Sequence, residues 1–299
     1  MTIKITFLGT SAQIPTTQRN HTAILLTYEG ENILVDCGEG TQRQFRKARL
    51  NPGKVTRLLI THWHGDHVLG IPGLLQTLSV SGYNKTLYIY GPKWTKSFIK
   101  KMISTFAFVE KFKIKVEEVK DGKFLETKDF YLEAKSMDHG IPTNAYSFVK
   151  KGQIRIDKKK LAKSKLLAGP LLQRLKQGKD INHKGKKYLA KNLTYEEGDK
   201  KISFVLDTSI NQGIVPFVKD SDLLITEASY SHTLQSKAKE HKHLTAKQAA
   251  EIAKKSGSKK LILTHISQRY EKNLQELLDE ARKVFKHTHL AKDLDKFEV

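Results

Sequence analysis

The feature that most constrains this chain is the run His-Trp-His-Gly-Asp-His from His62 to His67, directly after an apolar stretch at residues 55–61. The apolar stretch predicts a buried strand. Side chains at i and i+2 of an extended segment point to the same side, so the first two histidines can bind one metal ion. Gly65 lets the chain bend, which allows Asp66 and the last histidine to face a second ion. Imidazole and carboxylate are ligands that suit zinc and its neighbours.

Three further candidate ligands follow later predicted strands. They are His139, Asp207 and His265, each placed where an apolar run stops. Each one could therefore reach the same edge of a sheet. Together with the first run they supply seven ligands, which is enough for two metal ions that share one carboxylate.

Short apolar runs alternate with helical patterns along the chain. Strands are predicted at 3–8, 23–28, 33–36, 55–61, 87–90, 130–137, 203–206, 223–226 and 261–263. Helices are predicted at 41–48, 69–79, 94–106 and 245–256, with Thr245 as the N-cap of the last. This alternation is typical of an α/β protein in which helices cover sheets, and we expect a single domain over residues 1–299.

The charge is concentrated in one segment. The chain carries a net charge of +22, which favours an anionic partner such as nucleic acid, although a lysine-rich proteome or solubility would also explain it. Residues 151–192 hold 14 Lys and Arg against 2 Asp, a segment charge of +12. Such a segment cannot easily build its own core, so it is either an inserted projecting arm or a disordered basic linker. The Gly169-Pro170-Leu171-Leu172 sequence favours some local order.

The sequence also indicates a compartment. Cys37 is the only cysteine, so no disulfide can form within the chain and a reducing environment is expected. The first ten residues do not have the pattern of a signal peptide, and no apolar run approaches the roughly 20 residues that cross a bilayer. We therefore expect a cytoplasmic protein without a membrane partner.

Several motifs resemble those of one family. The run from His62 to His67 is similar to the HxHxDH signature of the metallo-β-lactamase superfamily. Over nearly its whole length the chain resembles the short form of the ribonuclease Z family, whose members process the 3′ end of tRNA. The resemblance includes Phe7-Leu8-Gly9-Thr10-Ser11-Ala12, the segment from Asp36 to Gln42, the Gly-Pro segment with Leu175-Lys176-Gln177-Gly178, and His243-Leu244-Thr245-Ala246.

The resemblance implies an α/β fold, an αβ/βα four-layer sandwich with an inserted basic arm at residues 151–192. It implies two zinc ions per subunit, with manganese as an alternative metal. One ion would be held by His62, His64 and His139, the other by Asp66, His67 and His265, with Asp207 bridging them. Asp66 would also act as general base toward the attacking water. The arm would bind precursor tRNA, with Gly169, Pro170 and Lys176 among its contacts, and the protein would be a homodimer.

The resemblance also assigns roles beside the metals. His243 is similar to a histidine that contacts the scissile phosphate and protonates the leaving oxygen, although a histidine preceding a helix can also be purely structural. Glu227 would orient His243, and here it stands in Thr226-Glu227-Ala228-Ser229 where the family reads His-Glu-Ala-Thr. Arg19 would pair with phosphate. Thr17 occupies a position that is often lysine in the family, which removes one phosphate-binding charge.

The predicted activity is zinc-dependent endonucleolytic removal of the 3′ trailer of precursor tRNA, leaving a 3′-hydroxyl on the tRNA and a 5′-phosphate on the trailer. Another phosphodiesterase or thioesterase of the same fold is the alternative, but a small substrate would not need the basic arm. A catalytically idle RNA-binding module is a third hypothesis, against which the complete ligand set argues. The remaining histidines are expected to be ordinary surface or core residues, namely His21, His183, His232, His241, His287 and His289.

Overall fold

The computed structural model describes residues 2–107, 111–164, 166 and 169–299. The chain forms two compact units. The first comprises Met1–Leu125, Leu132–Phe148 and Lys201–Val299, and the second comprises Glu126–Tyr131 and Val149–Lys200. The predicted metal ligands all fall in the first unit, and most of the basic segment falls in the second.

The strands are, in chain order, β1 (Lys4–Gly9), β2 (Ala23–Tyr28), β3 (Glu31–Val35), β4 (Arg57–Leu59), β5 (Leu87–Gly91), β6 (Ile114–Glu118), β7 (Gly122–Glu126), β8 (Phe130–Asp138), β9 (Pro142–Lys150), β10 (Gln153–Ile156), β11 (Ile181–His183), β12 (Lys186–Tyr188), β13 (Thr194–Glu197), β14 (Lys200–Val205), β15 (Leu223–Glu227), β16 (Leu261–Thr264), β17 (Thr288–Leu290) and β18 (Lys296–Glu298). The helices are α1 (Thr41–Lys47), α2 (Gly65–Val68), α3 (Ile71–Val80), α4 (Thr95–Thr105), α5 (Lys158–Ser164), α6 (Leu171–Lys176), α7 (Ala190–Leu193), α8 (Ile214–Phe217), α9 (Gln235–Glu240), α10 (Ala246–Lys255) and α11 (Leu274–Val284). Within the described ranges, no helix has both the length and the apolar character needed to cross a bilayer.

The first large sheet has the strand order β18-β1-β2-β3-β4-β5-β6. Its strands β3, β4, β5 and β6 run parallel, and its remaining pairs are antiparallel. Helices α1, α3 and α4 contribute Phe45, Leu74 and Ile99 to a core that also includes Leu58 and Ile89 from the sheet. All five side chains are buried, because an apolar stripe on each helix faces the apolar side of the strands.

The second large sheet has the strand order β17-β16-β15-β14-β9-β8-β7. Strands β14 to β17 are parallel to their neighbours in this order, so their carboxyl ends meet at one edge. Helices α10 and α11 cover this sheet, with Ala249, Ile252 and Leu277 packed against Leu224 and Leu263. Thr245 caps α10 as the sequence predicts, because its side chain accepts a hydrogen bond from the Gln248 N–H in a capping box.

The two large sheets also contact each other through large side chains. Tyr28 and Phe148 meet edge to face with ring centroids 5.5 Å apart. The hydroxyl of Tyr146 donates to the carbonyl of Ile60 at 2.8 Å. With helices covering the other face of each sheet, the result is the αβ/βα four-layer sandwich that the sequence predicts.

The second unit is a small folded element that contains two two-stranded antiparallel sheets. Strand β10 pairs with β13, and β11 pairs with β12. The core of the unit consists of Leu166, Leu175, Ile181, Ala190 and Leu193. The basic segment therefore does build a core, contrary to the expectation from its composition. The unit also extends beyond residues 151–192, because β13 lies past the lysine-rich stretch, and composition does not reveal strand pairing.

Strand β9 is absent from the sequence-based elements. It begins at Pro142 and includes Asn144, and both residue types are uncommon in strands. Every residue from Thr143 to Lys150 is nevertheless buried. Tertiary burial thus outweighs local propensity here, and β9 completes the sheet between β8 and β14.

Candidate metal centre and active site

The predicted ligands come from turns that follow strands of both large sheets. His62 lies three residues after β4, and the following turn enters α2, which carries Asp66 and His67. His139 directly follows β8, and His265 directly follows β16. Asp207 lies two residues after the end of β14, and β14 pairs in parallel with β15, which ends at Glu227. The architecture thus carries polar side chains to the region where both sheets end.

The structure brings all seven predicted ligands together in two groups. The atoms of each group lie within 4.8 Å of one another; one group is His62, His64, His139 and Asp207, and the other is Asp66, His67 and His265. Ring nitrogens of His62 and His64 lie 3.1 Å apart, and the same distance separates ring nitrogens of His67 and His265. Several nitrogen and oxygen donors that converge on one point fit a bound cation.

Asp207 lies between the two groups. Its Oδ2 is 3.7 Å from Nε2 of His62 and 3.6 Å from Nε2 of His139. Its Oδ1 is 3.5 Å from Nε2 of His67 and 3.3 Å from Nε2 of His265. Oδ1 is buried and has no hydrogen-bond partner among the described residues, which is a costly state for a carboxylate oxygen unless a cation satisfies it. The donor set therefore fits two metal ions that share this carboxylate.

Hydrogen bonds at Nδ1 fix the orientation of the imidazoles. Nδ1 of His67 lies 2.7 Å from the Asp36 carboxylate, and Nδ1 of His139 lies 2.9 Å from the carbonyl of Lys242. Nδ1 of His265 lies 2.9 Å from the hydroxyl of Ser229. In each case Nε2 is left for the cluster, which is the usual arrangement for metal-binding histidines.

Asp36 and His265 both adopt the left-handed backbone region, with φ values of 57° and 55°. Such conformations cost about 1–3 kcal/mol for residues other than glycine and concentrate at functional sites. Asp36 also accepts hydrogen bonds from the backbone N–H and the hydroxyl of Thr61, at 2.7 Å each. The turn after β3 is thereby tied to the turn that carries His62.

The charges of the cluster strongly lower the pKa values of its two carboxylic acids. Burial alone would raise the pKa of Asp207, but the imidazoles of His265, His67 and His62 outweigh it and hold that pKa well below its usual range. The pKa of Asp66 is likewise lowered, since His67 and His265 outweigh the effect of burial. Both carboxyl groups are thus held in the ionised form that binds cations.

His243 and Glu227 form a pair at the rim of the cluster. Nδ1 of His243 lies 2.9 Å from Oε2 of Glu227, which is fully buried, and 3.8 Å from Oδ2 of Asp207. Burial would lower the pKa of His243, but the two carboxylates outweigh it and raise this pKa to about 9. These carboxylates thus favour the protonated form of His243, and the bond at Nδ1 leaves Nε2 available to a ligand.

These groups open into a cavity of about 760 Å³. Ala12, Gln13 and Ile14 from the turn after β1 form part of its wall, and His64, Asp66 and His139 are also exposed to it. A cavity of this size accommodates several polar groups of a substrate at once.

Four residues of this region carry no signal that marks them in the sequence. His21 and His241 line the cavity, although the sequence predicts ordinary roles for them. Tyr230 and Arg269 line it as well. An isolated histidine, tyrosine or arginine has no spacing that marks it, and only the position of Tyr230 beside Ser229 could have drawn attention to it.

Other predicted contacts lie elsewhere. Arg19 is 5% exposed, and its Nη1 donates to the Thr10 hydroxyl at 2.7 Å and to the Ala291 carbonyl at 2.8 Å. Nη1 of Arg19 is therefore already engaged in hydrogen bonds within the protein. Gly169 and Pro170 precede α6 in the second unit and are exposed, as is Lys176 at the end of that helix.

Comparison with known proteins identifies the family. Residues 16–139 match the family model described as the metallo-beta-lactamase superfamily. The chain is 38% identical to a ribonuclease Z of Nanoarchaeum equitans over 91% of this chain and 86% of that protein. It is 37% identical to a ribonuclease Z of Methanothermobacter thermautotrophicus over 99% of this chain and 97% of that protein.

A solved structure agrees as well. The crystal structure of human tRNase Z, short form, is similar with a TM-score of 0.72 and 30% identity over 98% of both chains. With its sandwich fold, its paired ligand groups and these full-length relatives, the chain belongs to the ribonuclease Z family of the metallo-β-lactamase superfamily.

Proposed function

We propose that this chain is a zinc-dependent endoribonuclease that removes the 3′ trailer from precursor tRNA. The observation that carries the proposal is the pair of ligand groups joined through the two oxygens of Asp207, in a chain of the ribonuclease Z family. One zinc ion is assigned to His62, His64 and His139, and the other to Asp66, His67 and His265, with Asp207 shared. Manganese suits the same nitrogen and oxygen donors.

Two such ions would lower the pKa of a water molecule and neutralise the charge that grows on the phosphate oxygens. The protein supplies the proton transfers. Asp66 is ionised and faces the cavity, so it accepts the proton of the attacking water. His243 sits at the rim with Nδ1 bound to Glu227, so its Nε2 donates a proton to the leaving 3′ oxygen. The products are a 3′-hydroxyl on the tRNA and a 5′-phosphate on the trailer.

The second unit is assigned to tRNA binding. Lys158, Lys159, Lys160 and Lys163 of α5 are exposed, as a phosphate-binding surface requires. Contacts of this kind bind the backbone without reading bases, so the shape of the tRNA would determine recognition. Gly169, Pro170 and Lys176 are assigned to the same surface.

We assign the protein to the cytoplasm as a homodimer, the state implied by its family. Size-exclusion chromatography with light scattering tests the oligomeric state. A mass of one chain at micromolar concentration would refute the dimer.

The function is tested by incubating precursor tRNA with the purified protein, mapping both product ends and repeating the reaction after chelation. Metal analysis of the same preparation should give two zinc ions per chain. A 3′-hydroxyl on the tRNA, a 5′-phosphate on the trailer and loss of activity with chelator support the proposal. A protein with full metal content that leaves precursor tRNA intact but hydrolyses a small phosphodiester would instead support the other phosphodiesterase activity.

A further inference from the structure

The cavity wall beside His243 carries a stack of three side chains that takes no part in the proposed chemistry. The rings of Tyr230 and His241 are parallel within 5°, with centroids 6.3 Å apart. The guanidinium carbon of Arg269 lies 4.8 Å from the centroid of the Tyr230 ring. All three side chains line the cavity that contains the ligand groups.

The backbone on both sides of Tyr230 is tied to neighbouring elements by hydrogen bonds. The Tyr230 carbonyl accepts a hydrogen bond from the Ala246 N–H at 2.9 Å, at the start of α10. The residue before Tyr230 is Ser229, which donates to Glu227 at 2.7 Å. Tyr230 itself is only 8% exposed, while His241 and Arg269 are exposed. A buried ring thus supports two exposed planar groups before any ligand arrives.

The chemistry of these groups selects the ligand. Imidazole and guanidinium planes stack on nucleobases, and guanidinium also pairs with phosphate. A small phosphodiester offers no base to stack on. None of the three residues belongs to the metal-ligand groups found in the described part of the chain, so metal binding does not account for them.

The position of the stack relative to His243 selects the nucleotide. The ring centroids of Tyr230 and His243 lie 6.0 Å apart. If His243 protonates the leaving 3′ oxygen, the nucleotide that carries this oxygen lies beside His243. That nucleotide is the last one retained on the tRNA.

We propose that His241 and Arg269, supported by Tyr230, form a subsite that stacks on the base of the last retained nucleotide and so helps to fix the cleavage position. This proposal rests on the endonuclease function proposed above, because it uses the role of His243. It adds a base-binding step to a site whose other residues act only on the phosphate.

The test uses two substrates that differ in a single base. One is precursor tRNA, and the other is the same RNA with an abasic residue as the last retained nucleotide. For the unaltered protein we expect kcat/KM to fall about tenfold or more on the abasic RNA, the scale of losing one stacked base. Arg269→Ala and His241→Ala should show a similar loss on normal RNA and little further loss on the abasic RNA. Arg269→Lys keeps the positive charge but removes the planar guanidinium group, so its kcat/KM values on the two RNAs should resemble those of Arg269→Ala.

Arg49→Ala and His232→Ala serve as matched controls. Each removes an exposed arginine or histidine that lies outside the cavity. They should retain the tenfold difference between the two RNAs. Hydrolysis of bis(p-nitrophenyl) phosphate should be unchanged in Arg269→Ala and His241→Ala. The proposal is overturned if the unaltered protein cleaves both RNAs equally well, or if each stack variant loses the same factor on both RNAs. Failure of the unaltered protein to cleave any precursor tRNA would instead reject the proposed function.

Discussion

Oε2 of Glu227 is shared by two partners that belong to different parts of the site. It lies 2.9 Å from Nδ1 of His243 and accepts a hydrogen bond from the Ser229 hydroxyl at 2.7 Å. Ser229 also lies 2.9 Å from Nδ1 of the ligand His265. One buried carboxylate therefore positions both the proposed proton donor and, through Ser229, a proposed metal ligand.

Glu227→Gln should shift the alkaline limb of the activity profile to lower pH. Burial lowers the pKa of His243, and the Glu227 carboxylate is the largest of the effects that oppose it and raise that pKa to about 9. A proton donor is active below its pKa, so removal of the negative charge should move the limb down by about one pH unit or more. The measurement is kcat against pH from 6 to 10. Glu298→Gln, which changes a glutamate of an exposed pair with Lys4, should leave the limb in place. An unchanged limb in Glu227→Gln would show that His243 is not the group that titrates.

Asp66→Ala should abolish cleavage while binding of precursor tRNA largely survives. The carboxylate is proposed both as a ligand and as the acceptor of the water proton, and its Oδ2 lies 3.2 Å from Nε2 of His265. Binding depends mainly on contacts between basic side chains and phosphates, which this substitution leaves in place. Filter binding and cleavage assays on the same preparation measure the two effects. Full cleavage by this variant would contradict the assigned mechanism.

Removal of the second unit should separate tRNA processing from phosphodiester hydrolysis. Gln153 and Glu197 are direct partners in the β10–β13 pair, so deletion of residues 153–197 joins Gly152 to Gly198 where the chain already lies close to itself. We expect kcat/KM for precursor tRNA to fall about a hundredfold or more, since contacts between basic side chains and phosphates supply much of the affinity for nucleic acid. Hydrolysis of bis(p-nitrophenyl) phosphate should be retained.

A milder variant controls for damage to the fold in that experiment. Replacing Lys158, Lys159 and Lys160 by glutamine keeps the unit and removes three exposed charges. It should weaken tRNA binding and reduce its salt dependence. Equal loss on both substrates in the deletion would mean that the unit supports the structure of the site.

Arg19→Ala should reduce stability more than it affects substrate binding. The guanidinium donates to Thr10 and to the carbonyl of Ala291, and the Thr10 hydroxyl in turn donates to Asp293 at 2.7 Å. Loss of these buried, charge-assisted bonds should lower the free energy of unfolding by about 2 kcal/mol or more. Urea unfolding measures the change, and the exposed Arg49→Ala should stay within about 0.5 kcal/mol. A raised KM for precursor tRNA with unchanged stability would support the phosphate-binding role that the sequence suggests.

The convergence of the seven candidate ligands could be predicted because they occur as a spaced run and at the ends of apolar strands. Backbone geometry determines both patterns, so they can be recognised in the order of the residues along the chain. Tyr230, His241 and Arg269 could not be predicted, because they are brought together only when β15, α9 and β16 take their places in the sheet and around it. Arg19 illustrates the opposite case, since an arginine in a phosphate-binding motif looks exposed in the sequence and is buried by a distant segment around Ala291.

The core of the second unit could not be predicted for a similar reason. Leu175, Ile181 and Leu193 are spread among lysines, and their mutual burial accompanies the pairing of β10 with β13 and of β11 with β12. The composition of the segment shows that it is strongly basic. It does not show that these few apolar side chains pack against one another.

Asp207 connects ligands from opposite halves of the sandwich, since His62 and His67 follow β4 of one large sheet, whereas His139 and His265 follow strands of the other. Metal ions bound there would link the two halves and stabilise the folded state. The melting temperature should then depend on free metal concentration, with about 2.7 kcal/mol of added stability at a hundred times the dissociation constant. Metal supply would in this way control how long the folded protein persists as well as how fast it works.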